Sequence, residues 1–116
     1  MKKIFSIMAA IMLLTACSQK VGIKDLAADY IGSPTSQNND IYKYDNLDRN
    51  KCAAASVKLK EKIDKELGML PTEIGEAGTR STGHICEDYK WESPDRFVSL
   101  YIDYTANEVE IIDRKK

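Results

Sequence analysis

Residues Phe97 to Tyr104 alternate without a break. Val98, Leu100, Ile102 and Tyr104 fall on one side, and Phe97, Ser99, Tyr101 and Asp103 on the other. A period of two sustained this long predicts a strand with one buried face. Such a strand needs partners beside it and an apolar layer above it. Both are foreshadowed nearby. Ser93-Pro94-Asp95-Arg96 suits a type I turn with proline at its second position, and it follows a strand-like run from His84 to Glu92. Thr105-Ala106-Asn107 turns the chain again, before Val109 to Ile112 and a frayed Asp113 to Lys116. The C-terminal third therefore predicts an antiparallel meander.

The covering layer is predicted over about Arg49 to Leu67. Cys52, Ala55, Ser56, Leu59, Ile63 and Leu67 make one stripe at helical spacing. Lys58, Lys60, Glu61, Lys62, Asp64, Lys65 and Glu66 fill the wet side, with Glu61–Lys65 and Lys62–Glu66 placed to pair. Asn46, Asp48 and Asn50 offer N-caps, and Gly68 with Pro71 ends the helix. A shorter amphipathic helix is expected at Ile23 to Ile31, between Gly22 and Gly32. Nine residues do not recover the nucleation cost alone, so it must dock on its own domain, on lipid or on another protein, the first being the plainest expectation. Gly32 to Asp40 is expected to be a linker, Ile41 to Tyr44 a short extended segment, and Met69 to Gly83 a loop with a short edge segment near Thr72 to Ile74. The expected class is α+β: one main helix on a three- to four-stranded antiparallel meander.

The N-terminus carries an address. Lys2 and Lys3 precede the apolar run Ile4 to Leu14, which is shorter than the roughly 20 residues a membrane span requires. Leu14-Thr15-Ala16-Cys17 follows. This resembles the lipobox of bacterial lipoproteins: an aliphatic residue, two small residues, then cysteine. The resemblance implies cleavage after Ala16 and a diacylglyceryl group on the Cys17 sulfur, usually with acylation of the new amino group. Two or more acyl chains anchor stably where one does not. Ser18, rather than Asp, implies outer-membrane sorting by the same resemblance. The expected division is a signal peptide at 1–16, a lipid-anchored tether with the short helix at 17–40, and a globular domain at 41–116. Cleavage removes Lys2 and Lys3 and leaves 15 basic against 18 acidic side chains, a net −3. Anionic lipid then offers no attraction, and the acyl anchor carries the membrane affinity. The same balance gives nucleic acid no electrostatic footing.

With Cys17 acylated, Cys52 and Cys86 remain. In an exported, oxidising compartment they are expected to form one disulfide, a crosslink with a chain-entropy value of about 3.8 kcal/mol. A reactive thiol or a metal pair is the alternative. A conflict accompanies the disulfide. On its strand Cys86 has the phase of His84, Asp88 and Lys90, opposite to Tyr89 and Trp91. A bulge near Glu87-Asp88 would reconcile the two sets.

Chemistry-bearing residues are few. His84 is the one histidine, no Gly-x-Ser-x-Gly is present, and no glycine-rich phosphate loop follows a strand. His84, Cys86 and Asp88 converge on a metal only with Cys86 free. No catalytic residue, metal or cofactor is expected. The notable candidates are aromatic: Tyr89, Trp91, Phe97 and Tyr101 flank one tight turn on adjacent strands, and aromatic side chains dominate binding hot spots.

The layout of lipobox, helix ending at Leu67-Gly68 with Pro71 shortly after, a Trp-bearing strand and two further strands is similar to small outer-membrane lipoproteins of the BamE/SmpA family. That family's helix-entry motif is not found, so no functional residue carries over. The expected function is a lipid-anchored, non-enzymatic protein-binding module: an accessory subunit, an inhibitor or an immunity protein, with an envelope or toxin-like partner. A structural lipoprotein without a dedicated partner, or a small periplasmic enzyme, is the alternative.

Overall fold

The computed structural model describes residues 21–79 and 83–116. The signal peptide and Cys17 lie outside the described residues. The chain runs α1 (Ile23–Ile31), β1 (Ser36–Asn38), β2 (Ile41–Tyr44), α2, β3 (Glu73–Thr79), β4 (Ile85–Ser93), β5 (Arg96–Asp103) and β6 (Glu108–Lys115). α2 is one continuous helix in three parts: α-helical Arg49–Ala54, a wider π-type turn at Ala55–Leu59, and α-helical Lys60–Leu67.

The strands form one antiparallel sheet of six, in the order β1-β2-β6-β5-β4-β3. One main helix on an antiparallel sheet is the α+β class expected, but the sheet has six strands rather than three or four. The additions are the pieces with least apolar content. β1 is Ser-Gln-Asn, all exposed, paired with β2 through a turn at which Asn39 takes a positive φ of 56°. β3 grows from the segment expected to be a loop and pairs with β4 from Glu73 to Thr79, with one irregularity between Gly75 and Gly78. Main-chain pairing to a neighbouring strand makes both. Of the expected tether, the described residues 21–40 pack with the domain: α1 contributes to the core and β1 to the sheet.

Both helices cover one face. From α1, Ile23, Ala27 and Ile31 are buried; from α2, Cys52, Ala55, Leu59 and Ile63. They meet Val98, Leu100 and Ile102 of β5, Val109 and Ile111 of β6, Tyr44 of β2 and Trp91 of β4. α2 starts at Asp48, whose side chain accepts the Lys51 N–H at 2.8 Å. It stops at Gly68 in the left-handed region (φ 64°), where the Met69 N–H reaches back to the Asp64 carbonyl at 3.1 Å. Glu61–Lys65 pairs at 3.4 Å, while Glu66 instead accepts the Val21 N–H at 2.8 Å.

The disulfide is not formed: Cys52 and Cys86 are both free and buried. Strand phase explains it. The β4–β5 register runs unbroken from Cys86↔Asp103 to Ser93↔Arg96, so β4 carries no bulge. Trp91 and Glu87 reach α2, donating to Asp64 and accepting from Ser56 respectively. Cys86, one residue from Glu87, therefore lies on the other face of the sheet, where its Sγ sits 2.9 Å from Tyr101 Oη. Cys52 stays on the helix side. The sheet lies between the two thiols, and the crosslink has no path through it.

One core group is unmatched. Tyr44 is fully buried and its hydroxyl has no partner among the described residues. Burial pushes this phenol up to about 12, with Tyr42 and Asp25 adding to the effect. A buried donor without an acceptor costs about 1–3 kcal/mol. Tyr44→Phe is accordingly expected to stabilise the fold by about 1 kcal/mol, raising the melting temperature by about 4–8 °C. Thermal unfolding followed by circular dichroism checks this, and a lowered midpoint would contradict it.

Candidate functional site

The described surface has two ends. At one, the β4–β5 turn, the C-terminus and the start of α1 come together. Arg96 grips Asp113 with two hydrogen bonds of 2.9 Å, and its Nη2 donates to the Val21 carbonyl at 3.1 Å. Asp113 Oδ2 also accepts the Ile23 N–H at 3.0 Å, placing a carboxylate at the α1 N-terminus, where the helix dipole favours it. Lys116 pairs with Glu92 at the same end.

At the other end, the β5–β6 turn is locked to the start of β4. Asp103 Oδ1 accepts the N–H groups of Thr105 (3.0 Å) and Ala106 (2.9 Å). Tyr104 N–H donates to the Ile85 carbonyl at 2.9 Å, and the Ile85 N–H to Thr105 Oγ1 at 3.0 Å. An open hollow of about 480 Å³ lies here, lined by Arg49, Ile85, Tyr104, Thr105 and Asn107. Beside it, His84 Nδ1 lies 2.7 Å from Asp103 Oδ2. Burial raises Asp103, but the Ala106 N–H, His84 and the Thr105 N–H outweigh it and hold the carboxyl below its ordinary range.

Between the ends, a polar seam runs where α2 overlies β4. The Glu87 carboxylate is its centre. Oε1 accepts from Ser56 Oγ (2.6 Å) and from the Tyr104 hydroxyl, and Oε2 from the Tyr89 hydroxyl at 3.2 Å. Ser56 belongs to the π-type turn of α2, a feature that often accompanies functional positions. Burial, with Glu87 beside it, pushes the Tyr104 phenol up to about 12 and raises Tyr89. These phenols hold their protons and act as donors at neutral pH. Further along, Lys60 lies over the Tyr89 ring, 5.9 Å from its centroid, and pairs with Asp64 at 2.8 Å.

The four aromatic residues that flank the β4–β5 turn are divided between the two faces of the sheet. Trp91 is 1% exposed in the core, and Tyr89 lies at the seam with its ring centroid 6.3 Å from that of Trp91. Phe97 and Tyr101 lie half-buried on the face without helices, because their phase on β5 opposes that of Val98 and Leu100. That face also holds Ile41 and Ile112, cross-strand partners, beside Ser99. Glu87, Ser56, Tyr104, Arg96 and Asp113 were not singled out from sequence. Their signal is a charged group in the apolar phase of a strand: Glu87 in step with Trp91, Arg96 with Val98, Asp113 with Ile111.

Ser56 Oγ donates to a carboxylate rather than to an imidazole, and Cys86 Sγ has Tyr101 Oη as neighbour. Burial pushes the Cys52 thiol up, with Asp48 and Asp103 adding to it, which disfavours the nucleophilic thiolate. Among the described residues no group of three or more His, Cys, Asp or Glu side chains is placed to hold a metal ion, and no helix is long and apolar enough to cross a membrane. Comparison with protein-family models, curated proteins and solved structures finds no match for this chain.

Proposed function

We propose that this chain is an acylated bacterial envelope lipoprotein whose small domain binds another protein. Outer-membrane attachment on the periplasmic side is the location that the lipobox and Ser18 support. The observation that carries the reading is the way Val21 is held. Its N–H is bound by Glu66 and its carbonyl by Arg96, only four residues after Cys17. Those four residues span at most about 14 Å. Acyl chains on Cys17 would keep the Arg96 end against the headgroups and turn the Tyr104–Asn107 end outward. Phe97 and Tyr101, half-buried on the helix-free face, are the members of the aromatic set left open to a partner.

The test uses the full chain produced in bacteria. Mass spectrometry is expected to find residues 17–116 with lipid on Cys17, and Cys17→Ser is expected to move the protein out of the membrane fraction. An unmodified amino terminus would overturn the anchor. Phe97→Ala with Tyr101→Ala is expected to lower recovery of a stoichiometric protein partner without changing the circular dichroism spectrum. An unchanged yield would remove the helix-free face from the reading.

A further inference from the structure

At the Arg96 end of the domain, α2 stops at Gly68, two residues beyond the Glu66 that accepts the Val21 N–H. The chain then turns through Met69-Leu70-Pro71 before it joins the sheet. This corner is fixed on both sides. The Met69 N–H donates to the Asp64 carbonyl at 3.1 Å, and the Thr72 N–H and hydroxyl both donate to the Lys90 carbonyl, at 2.7 and 3.1 Å. Leu67 and Met69 pack against the core. Leu70 does the opposite. It is 73% exposed, more than any other large apolar side chain among the described residues.

A lone exposed leucine is ordinary on a protein surface, so position has to carry the argument. The exposed large apolar side chains among the described residues are Val21, Val57, Leu70, Ile74 and Ile85. Ile85 lines the hollow at the far end, and Val57 and Ile74 lie on the middle of α2 and on β3. Val21 and Leu70 belong to the Arg96 end. Both are tied to Glu66, Val21 by its hydrogen bond and Leu70 by four residues of chain. Val21 in turn is four residues from Cys17, a span of at most about 14 Å. An acylated Cys17 therefore brings a lipid surface to the end of the domain that presents Leu70.

We propose that the corner at residues 68–71 is a second membrane contact, in which Leu70 enters the lipid interface beside the acyl anchor. The proposal rests on the acylation reading above and names the surface of the domain that meets the lipid. Acyl chains hold the protein at one point, and about that point the domain can swing. An apolar side chain on a fixed backbone, seated in the same interface, removes that freedom. It also sets the tilt. α2 covers one face of the sheet, so a contact at its C-terminal end turns the opposite face away from the lipid. Phe97 and Tyr101, half-buried on that opposite face, are then presented to a protein partner rather than to the membrane.

The photo-crosslinking amino acid p-benzoylphenylalanine, placed singly at positions 70, 85 and 101 of the full acylated chain in vesicles of phosphatidylethanolamine and phosphatidylglycerol, tests this. Leu70 and Ile85 are both exposed, 73% and 51%, so exposure alone does not separate them, and circular dichroism should stay unchanged at either position. Position 70 is expected to give a phospholipid adduct, read as a mass shift, in about tenfold greater yield than 85 or 101. Leu70→Glu is expected to leave the protein in the membrane fraction, which the acyl chains secure, and to raise the adduct from a probe at 101 as the domain swings. A chain without lipid on Cys17 overturns the anchor and this contact together. A lipid-bearing chain that gives no adduct from 70, or one as abundant from 85 or 101, overturns the contact and keeps the anchor. An adduct at 101 that Leu70→Glu does not change overturns the contact as well.

Discussion

Asp113→Ala is expected to cost about 3–5 kcal/mol of folding stability. A domain of this size is typically stable by about 5–10 kcal/mol, so the variant would be close to half unfolded by mild heating. Arg96 and Asp113 are both nearly sealed from water, with 8% and 13% of their side chains exposed. Two parallel hydrogen bonds of 2.9 Å join them. Removing the carboxylate leaves an unpaired guanidinium in a site that solvates it poorly. It also strips the Ile23 N–H of its acceptor and loosens the Arg96 grip on Val21. The loss should be greatest at α1, and hydrogen exchange in Ile23–Ile31 should accelerate before that in β5. Replacing both members with apolar residues, Arg96→Met with Asp113→Leu, should recover much of the loss, because the penalty comes from the stranded charge. Denaturant unfolding of the single and double variants decides. A single-variant cost below 1 kcal/mol would show that the pair does not hold α1 in place.

How far the sequence exposed this architecture depends on what each element uses for cohesion. α2 and β5 bury apolar side chains in strict period, so the stripe from Cys52 to Ile63 and the alternation from Val98 to Ile102 were legible. Cys52, Ala55, Leu59, Ile63, Val98, Leu100 and Ile102 are buried, whereas Ser56, Leu67 and Tyr104 of the same patterns are half-buried and Ser99 on the opposite phase is buried. β1 and β3 are made by backbone pairing to strands that other forces had placed, and Ser-Gln-Asn or Glu-Ile-Gly-Glu-Ala-Gly-Thr has little side-chain signal to show for it. The cysteines illustrate a conflict settled against counting. Two thiols suggested a crosslink, but Cys86 has the phase of Asp88, not of Trp91, and phase won because a continuous β4–β5 ladder leaves no residue over for a bulge. The same phase divided Tyr89 and Trp91 from Phe97 and Tyr101. Arg96 and Asp113 looked like turn and fraying end because charge suggests solvent. Each is in step with buried neighbours on its strand, and a charge in that phase requires an opposite charge beside it. The seam around Glu87 follows the same rule with hydroxyls in place of a cation.

Trp91→Ala is expected to cost about 3–5 kcal/mol, the usual range for deleting a large buried aromatic side chain. Trp91 is 1% exposed and among the largest fully buried side chains of the core, beside Val98 across the strand and Tyr89 on its own. Its indole N–H donates to Asp64 Oδ1 at 2.8 Å, while Asp64 Oδ2 takes Lys60 at 2.8 Å. Trp91→Phe keeps most of the apolar area and loses the donor. The Lys60 partner keeps Asp64 from being stranded, so this variant should cost about 1–2 kcal/mol. The two substitutions separate packing from polarity at one position, and they distinguish a core residue from a binding residue. An interface anchor truncated to alanine leaves the free domain as stable as before and weakens the complex. Trp91→Ala should instead lower the denaturation midpoint of the isolated protein, and any loss of partner binding should track the unfolded fraction. As the one tryptophan of the chain, Trp91 also reports on itself. In the unmodified protein its emission should be blue-shifted and shielded from iodide, and it should move to the solvent value in the same denaturant range as the circular dichroism. An iodide-accessible Trp91 in the folded protein, with Trp91→Ala neutral for stability, would mean that β4 presents this face outward, and the phase argument that separates the cysteines would fall with it.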